Sequence, residues 1–343
     1  MTMKPALLLT LGVWASAGCA AAPTKAADPG PMSVAIAPTG DDAAAPAAGG
    51  RGEGDDAGPI AKAGYDAAMA DAGLRQRVFN DPAMSMALKG SMTQGGVVFG
   101  QTLPDAKATL DGEPLMVSAD GRFVIGFGRD HGPTALLVVT HADGSVVRRA
   151  LEIADREFPV DRVDGLDQSK VSGFTAEQLA KIEADKAKKN AARTTTEASP
   201  FWSAGFSWPV VGRISGVFGS QRILNGEAKT PHSGVDVAAP AGAPIKAPAP
   251  GVVRLAESDM YFEGGLVFID HGQWLESAFL HMSRIDVKPG DRVEAGAVIG
   301  AVGATGRATG PHMHWSLKWM GTLVDPALVA GEMPARAAAA GSD

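Results

Sequence analysis

Asp-Gly pairs set between short apolar runs restrict this chain more than any other feature. Five runs rich in Val, Leu and Phe follow one another from Gly95 to Ile153: GGVVFG, EPLMVS, RFVIGFG, ALLVVTHADG and SVVRRALEI. Asp111-Gly112, Asp120-Gly121 and Asp143-Gly144 punctuate them. A tight hairpin needs positive φ in its turn, which glycine adopts freely and aspartate tolerates, so each pair favours two strands folding back on each other. The expectation is a mainly β protein that begins with a small β-sandwich over residues 94–158. His131 and His141 fall near its turns and read as surface residues.

With 343 residues, the chain has room for a second domain. A formal net charge of −7 leaves no basic stripe to neutralise phosphates, which excludes nucleic acid as a partner. Lys4 precedes an apolar run from Ala6 to Ala17 and then small residues, so 1–19 reads as a secretory signal peptide. The one cysteine, Cys19, sits in SAGC, which resembles a bacterial lipoprotein processing box. That makes Cys19 the candidate lipidation site and membrane anchor, and the alternative is ordinary cleavage after Ala15-Ser16-Ala17. Either route exports the chain to the periplasm or cell envelope. Ala20 behind an acylated cysteine offers no inner-membrane retention signal, which points to the outer membrane. Residues 20–60 are Ala, Pro, Gly and Asp with few large apolar groups, a composition expected of a flexible tether.

Residues 159–199 read as a connector, with TAEQLAKIEADKAKKNAAR as an exposed helix and Thr175 with Gln178 as its capping box. A lid over the next domain is the alternative role. Residues 200–330 return to β spacing, before a tail at 331–343. Ala241–Val253 and Pro289–Val302 share the order of glycine, β-branched residue, alanine and glycine, which suggests a duplicated strand–turn unit. Biotinyl and lipoyl carriers use comparable units, but the lysine they need on a hairpin tip is absent.

Five of the seven histidines lie in this second region, in PHSGVD, IDHGQWLESAFLHMS and GPHMHW. His232 and Asp236 offer an imidazole nitrogen and a carboxylate, both good zinc ligands. Four residues of straight strand would separate them by about 13 Å, so the chain must bend at Ser233-Gly234 if they are to share an ion. Strand alternation places His312, His314 and Ser316 on one face and Met313, Trp315 and Leu317 on the other. If either histidine of that pair completes a His-Asp-His set, three protein ligands leave the open position of a catalytic zinc site. Neither H-E-x-x-H nor G-x-S-x-G occurs, so the base must be another group, and histidine suits neutral pH. His281 ends an apolar run in which alternation gives it the face of Phe279, and His271, in a turn beside Asp270, reads as structural.

These segments, together with GRISGVFGSQR, VKPGDRVEAGAVIGAVGATGRATG and VDP, resemble the lysostaphin/LytM-type zinc peptidoglycan endopeptidases over essentially all of Phe201–Leu328. The resemblance implies a two-sheet β domain built on the duplicated hybrid motif. It assigns one Zn2+ to His232, Asp236 and His314, and proton transfer to His281 and His312. The activity it implies is hydrolysis of peptide cross-links in the wall, with peptidoglycan peptide stems as the partner and scope for an envelope regulator. The chain departs from the family at Gln273-Trp274 and Phe279, and it has no tyrosine shortly before His232. Arg222 is the expected substitute cation near the substrate, and a structural salt bridge is its alternative role. The rival expectation is an inactive wall-binding module or activator, a class that usually loses ligands or bases, whereas all five positions are present here.

Overall fold

The computed structural model describes residues 85–163, 174–224 and 226–335. The signal segment, Cys19 and the 20–60 tether lie outside the described residues. Among the described residues, no helix is long and apolar enough to cross a membrane.

The protein is mostly strand, in several antiparallel sheets. Met86–Gly90, Val97–Thr102 and Arg122–Gly126 form a three-stranded sheet in that order. Lys107–Leu110, Glu113–Leu115, Thr134–Thr140 and Val146–Glu152 form a second, four-stranded one. Asp111 and Gly112 both have positive φ, 51° and 89°, and close the two-residue hairpin that their sequence favours. Inward residues of both sheets, including Phe123, Ile125, Leu137 and Val139, bury one core. His141 is not a surface residue: it is buried, with Nε2 3.2 Å from Thr102 Oγ1 and Nδ1 2.9 Å from Ser145 Oγ. Its two hydroxyl partners satisfy both ring nitrogens, which is why burial is tolerated.

That core also takes in Trp202, Leu275, Leu317, Trp319 and Val324, so the sandwich and the C-terminal half share one apolar interior. Trp202 stacks on Phe99 with ring centroids 4.8 Å apart. The C-terminal half is built on an eight-stranded sheet. Its order is Arg292–Val293, Gly251–Met260, Gly264–Asp270, Leu275–Met282, His312–Trp319, Val235–Ala238 and Arg213–Gly216, with Thr322–Val324 added to His312–Trp319. A small sheet of Pro244–Lys246, Val298–Ala301 and Arg284–Ile285 covers one face. Between them, Ile245, Val267, Phe279, Ile299, Met313 and Trp315 are buried.

The two similar sequence units interlock. Pro244–Lys246 of the first pairs with Val298–Ala301 of the second, while Gly251-Val252 of the first pairs with Arg292-Val293 of the second. Each copy supplies the strand the other lacks.

The opposite face of the large sheet is partly covered by the helix Ala176–Ala191. Its Thr175 capping box is present in both directions, Gln178 N to Thr175 Oγ1 at 3.2 Å and Thr175 N to Gln178 Oε1 at 2.8 Å. This segment is not simply an exposed connector. Asp185 is buried, accepting from Lys181 Nζ at 2.7 Å and Tyr261 N at 2.7 Å. Lys188 pairs with Glu257 at 2.9 Å, Lys189 pairs with Glu263, and Arg193 pairs with Glu276 at 2.7 Å while lying over the Phe268 ring. The docking face is charged rather than apolar, which is why hydrophobic periodicity did not reveal it.

Candidate metal centre

The site sits where two adjacent strands of the large sheet meet its uncovered end. Val235–Ala238 runs antiparallel to His312–Trp319 with Asp236 opposite His314, so both side chains rise from the same face. Met313 and Trp315 occupy the other face and anchor the strand in the core. The chain bends ahead of Val235, as the His232/Asp236 spacing requires. His232 Nε2 comes to 3.2 Å from Asp236 Oδ1 and 3.1 Å from His314 Nδ1, and His314 Nδ1 lies 2.8 Å from Asp236 Oδ1. Two imidazole nitrogens and a carboxylate oxygen thus converge on one point.

This donor set fits zinc. Ligand bonds of 2.0–2.2 Å in tetrahedral geometry put donor atoms roughly 3.3–3.6 Å apart, a small expansion of what is seen. The far side of each ring is already held. His232 Nδ1 donates to Val217 O at 3.0 Å, which leaves Nε2 with its lone pair toward the centre. His314 Nε2 lies 2.7 Å from Ser316 Oγ and 3.2 Å from Ser233 Oγ, so the serines can take that proton and leave Nδ1 for a metal. Burial pushes the Asp236 carboxyl up, but the His232 and His314 imidazoles packed against it outweigh this and hold the group well below the usual carboxylate range. Burial pushes the His314 imidazole down, which keeps it neutral and able to ligate.

Gly216 forms a wall of the centre. A Cβ at this position would stand 2.5 Å from Asp236 Oδ2 and 3.1 Å from His232 Cε1, so only glycine lets the edge strand approach the ligands.

His312 and His281 complete the cluster. His312 Nδ1 donates to Gly310 O at 2.8 Å, and its Nε2 lies 3.8 Å from Asp236 Oδ1. The His281 ring is 4.8 Å from that of His312 and 6.4 Å from that of His314. Strand alternation had assigned His281 to the face of Phe279, and this is corrected. Phe279 pairs with Trp315 in the core and Leu280 pairs with His314, yet His281 still joins the histidine cluster. Its φ of +63° breaks the alternation. The left-handed backbone costs on the order of 1 kcal/mol for a residue with a Cβ. Hydrogen bonds from His281 N to Glu263 O and from Nδ1 to Thr305 O, both 2.8 Å, hold it there. Nε2 is left as the basic nitrogen, and burial pushes this imidazole down as well.

His271 lies apart from the cluster. It is fully buried, with Nδ1 donating to Pro250 O and Nε2 meeting Ser277 Oγ, each at 2.8 Å. For Arg222, the backbone pairs with Asp161 in a parallel bridge between Gln221–Leu224 and Val160–Val163, and its side chain lies outside the described residues. Sequence reasoning put Ser316 on the histidine face but gave it no role, and it gave Ser233 a place in the bend but none beside His314. The signal for both was a hydroxyl at short spacing from a candidate ligand.

The sequence pattern of Peptidase family M23 matches residues 230–326, which span all five clustered positions. Among curated proteins, the chain is similar to Peptidoglycan DD-endopeptidase ShyC of Vibrio cholerae, 39% identical over 124 residues, or 36% of this chain and 28% of that one. Peptidoglycan DD-endopeptidase ShyA of the same organism is 41% identical over 106 residues, 31% of this chain and 24% of that one. The chain therefore aligns with about a quarter of the length of these relatives, 28% and 24%. A crystal structure of a Pseudomonas aeruginosa protein described as a peptidase M23 aligns with a TM-score of 0.52 and 34% identity, over 74% of this chain and 97% of that one.

Proposed function

The chain belongs to peptidase family M23, and from that premise we propose that it is a zinc-dependent endopeptidase hydrolysing the peptide cross-links of cell-wall peptidoglycan. One observation carries the reading. His232 Nε2, Asp236 Oδ1 and His314 Nδ1 converge within 3.2 Å of one another, beside the two further imidazoles of His281 and His312. The DD-endopeptidase activity on peptidoglycan for which ShyC and ShyA are named supports the substrate class.

Zinc held by these three residues would supply Lewis-acid chemistry, polarising the scissile carbonyl and acidifying water. The rest falls to the chain. His281 and His312 each give their Nδ1 proton to a backbone carbonyl, so each presents an unprotonated Nε2. One Nε2 accepts the proton of the attacking water, and the protonated ring then delivers it to the leaving amine. When His312, the nearer to Asp236, is the ring that has taken up this proton, its Nε2–H also donates to the developing oxyanion. Asp236 stays ionised and offsets positive charge as it builds. Arg222 is retained in this reading as a substrate-side cation. The proposal also takes the chain as exported to the envelope, with Cys19 as the site of an outer-membrane lipid anchor.

The test is digestion of cross-linked sacculi by the zinc-loaded chain, with and without chelator, followed by mass analysis of the products. We expect soluble muropeptides that vanish with chelator. His281→Ala should retain zinc and lose roughly 10²–10⁴-fold in rate. No release by the zinc-loaded chain would overturn the reading.

A further inference from the structure

The strand that carries His314 continues along the same face through Ser316 to Lys318. Two clefts, about 330 and 410 Å3, lie between this stretch and the C-terminal end of the helix Ala176–Ala191. They share Asn190, Arg193, Glu276 and Lys318. The smaller one reaches Ser233 and Ser316, the two hydroxyls behind His314 Nε2, so it borders the metal centre.

The charges lining these clefts do not cancel. Glu263 is matched by Lys189, Glu276 by Arg193, and Asp270 by Arg254 at 2.8 Å. Lys318 faces Glu276 across the strand pair, but that carboxylate is taken by Arg193 at 2.7 Å. Among the described residues, no hydrogen bond or ion pair reaches Lys318 Nζ, although the residue is half-buried. A desolvated ammonium whose facing carboxylate, Glu276, is hydrogen-bonded to Arg193 instead lacks a direct partner, and a carboxylate entering the cleft would supply one.

We propose that Lys318 is the anchor of a carboxylate-binding subsite of the substrate groove, with Asn190 and the helix end as its wall. The occupant is an extended acidic peptide. Four residues of strand separate Lys318 from His314, about 13 Å. The carboxylate it takes therefore lies about four residues from the bond placed at the metal centre. The helix is then part of the groove: it shapes the subsite that reads the charge of the substrate. Burial and the neighbouring Arg193 push the Lys318 ammonium down, and the Glu276 charge, which raises it, does not outweigh them.

This inference rests on the peptidase reading, and its test separates the two. N-acetylated cross-linked peptide dimers prepared from sacculi are used as such and after amidation of their carboxylates. Binding is measured with the full chain in chelator, and hydrolysis with the zinc-loaded chain. The wild type should bind the carboxylate form about tenfold more tightly than the amidated form. Lys318→Met should erase that preference, raising KM for the carboxylate form while kcat and all values for the amidated form stay unchanged. Lys318→Arg should restore the preference, which a merely structural lysine would not require. An unchanged preference in Lys318→Met, equal weakening of both forms, or no binding of either by the wild type would overturn the subsite. Lys318-dependent binding without hydrolysis of either form would uphold the subsite and overturn the peptidase reading.

Discussion

Ser316 Oγ lies 2.7 Å from His314 Nε2, while Asp236 Oδ1 lies 2.8 Å from Nδ1 of the same ring. The imidazole is gripped at both nitrogens, so its orientation toward a metal is set before any metal arrives. Removing the outer grip should free the ring. Ser316→Ala is expected to weaken zinc affinity, and Ser233→Ala/Ser316→Ala to weaken it by about 10–100-fold. Competition against a chromophoric chelator measures this, and a double variant with wild-type affinity would show that the hydroxyls do not orient the ligand.

Gly216 tests the centre from its other wall. Gly216→Ala places a methyl 2.5 Å from Asp236 Oδ2, so the carboxylate must swing away from the position in which it meets His232 and His314. The expected variant folds, with a melting temperature within several degrees of the wild type, but holds substoichiometric zinc by elemental analysis. Full zinc occupancy with wild-type activity would mean that the edge strand moves freely.

His271 makes stability depend on pH. Burial pushes its pKa down to about 4, against a backbone hydrogen bond to Pro250 and the Asp270 charge, which raise it. In the unfolded chain the ring titrates near its ordinary value of about 6.5, so between these values the unfolded state binds more protons. The contribution is thus complete above about pH 6.5 and is lost as pH falls through the folded value, up to roughly 3 kcal/mol. Denaturant unfolding of wild type and His271→Gln at pH 7 and pH 4.5 checks it. The wild type should lose more stability on acidification than the variant, and equal losses would refute the assignment.

Local rules carried a large part of this protein into its sequence. Asp111-Gly112 marks its hairpin because the turn geometry is a property of two residues. Thr175 and Gln178 mark the helix start for the same reason. The His312/His314 alternation follows from the two-residue period of a strand, which tertiary structure cannot alter while the strand stays regular. His281 shows where that rule ends: one left-handed residue, held by Glu263 and Thr305 from elsewhere in the chain, turns the ring to the other face. The pairing of the two similar units with each other, the burial of His141 and the sharing of one core between sandwich and large sheet also depend on distant partners.

Neighbours along the chain govern the β architecture, the capped helix and the His-x-His strand face, so each is legible residue by residue. Which atoms meet depends on long-range packing. That packing brought His232 Nε2, Asp236 Oδ1 and His314 Nδ1 together, turned His281 toward them, and laid the charged helix beside Lys318. Those are contacts between residues up to 82 positions apart within the cluster, and their geometry exists only once the sheet that carries them has formed.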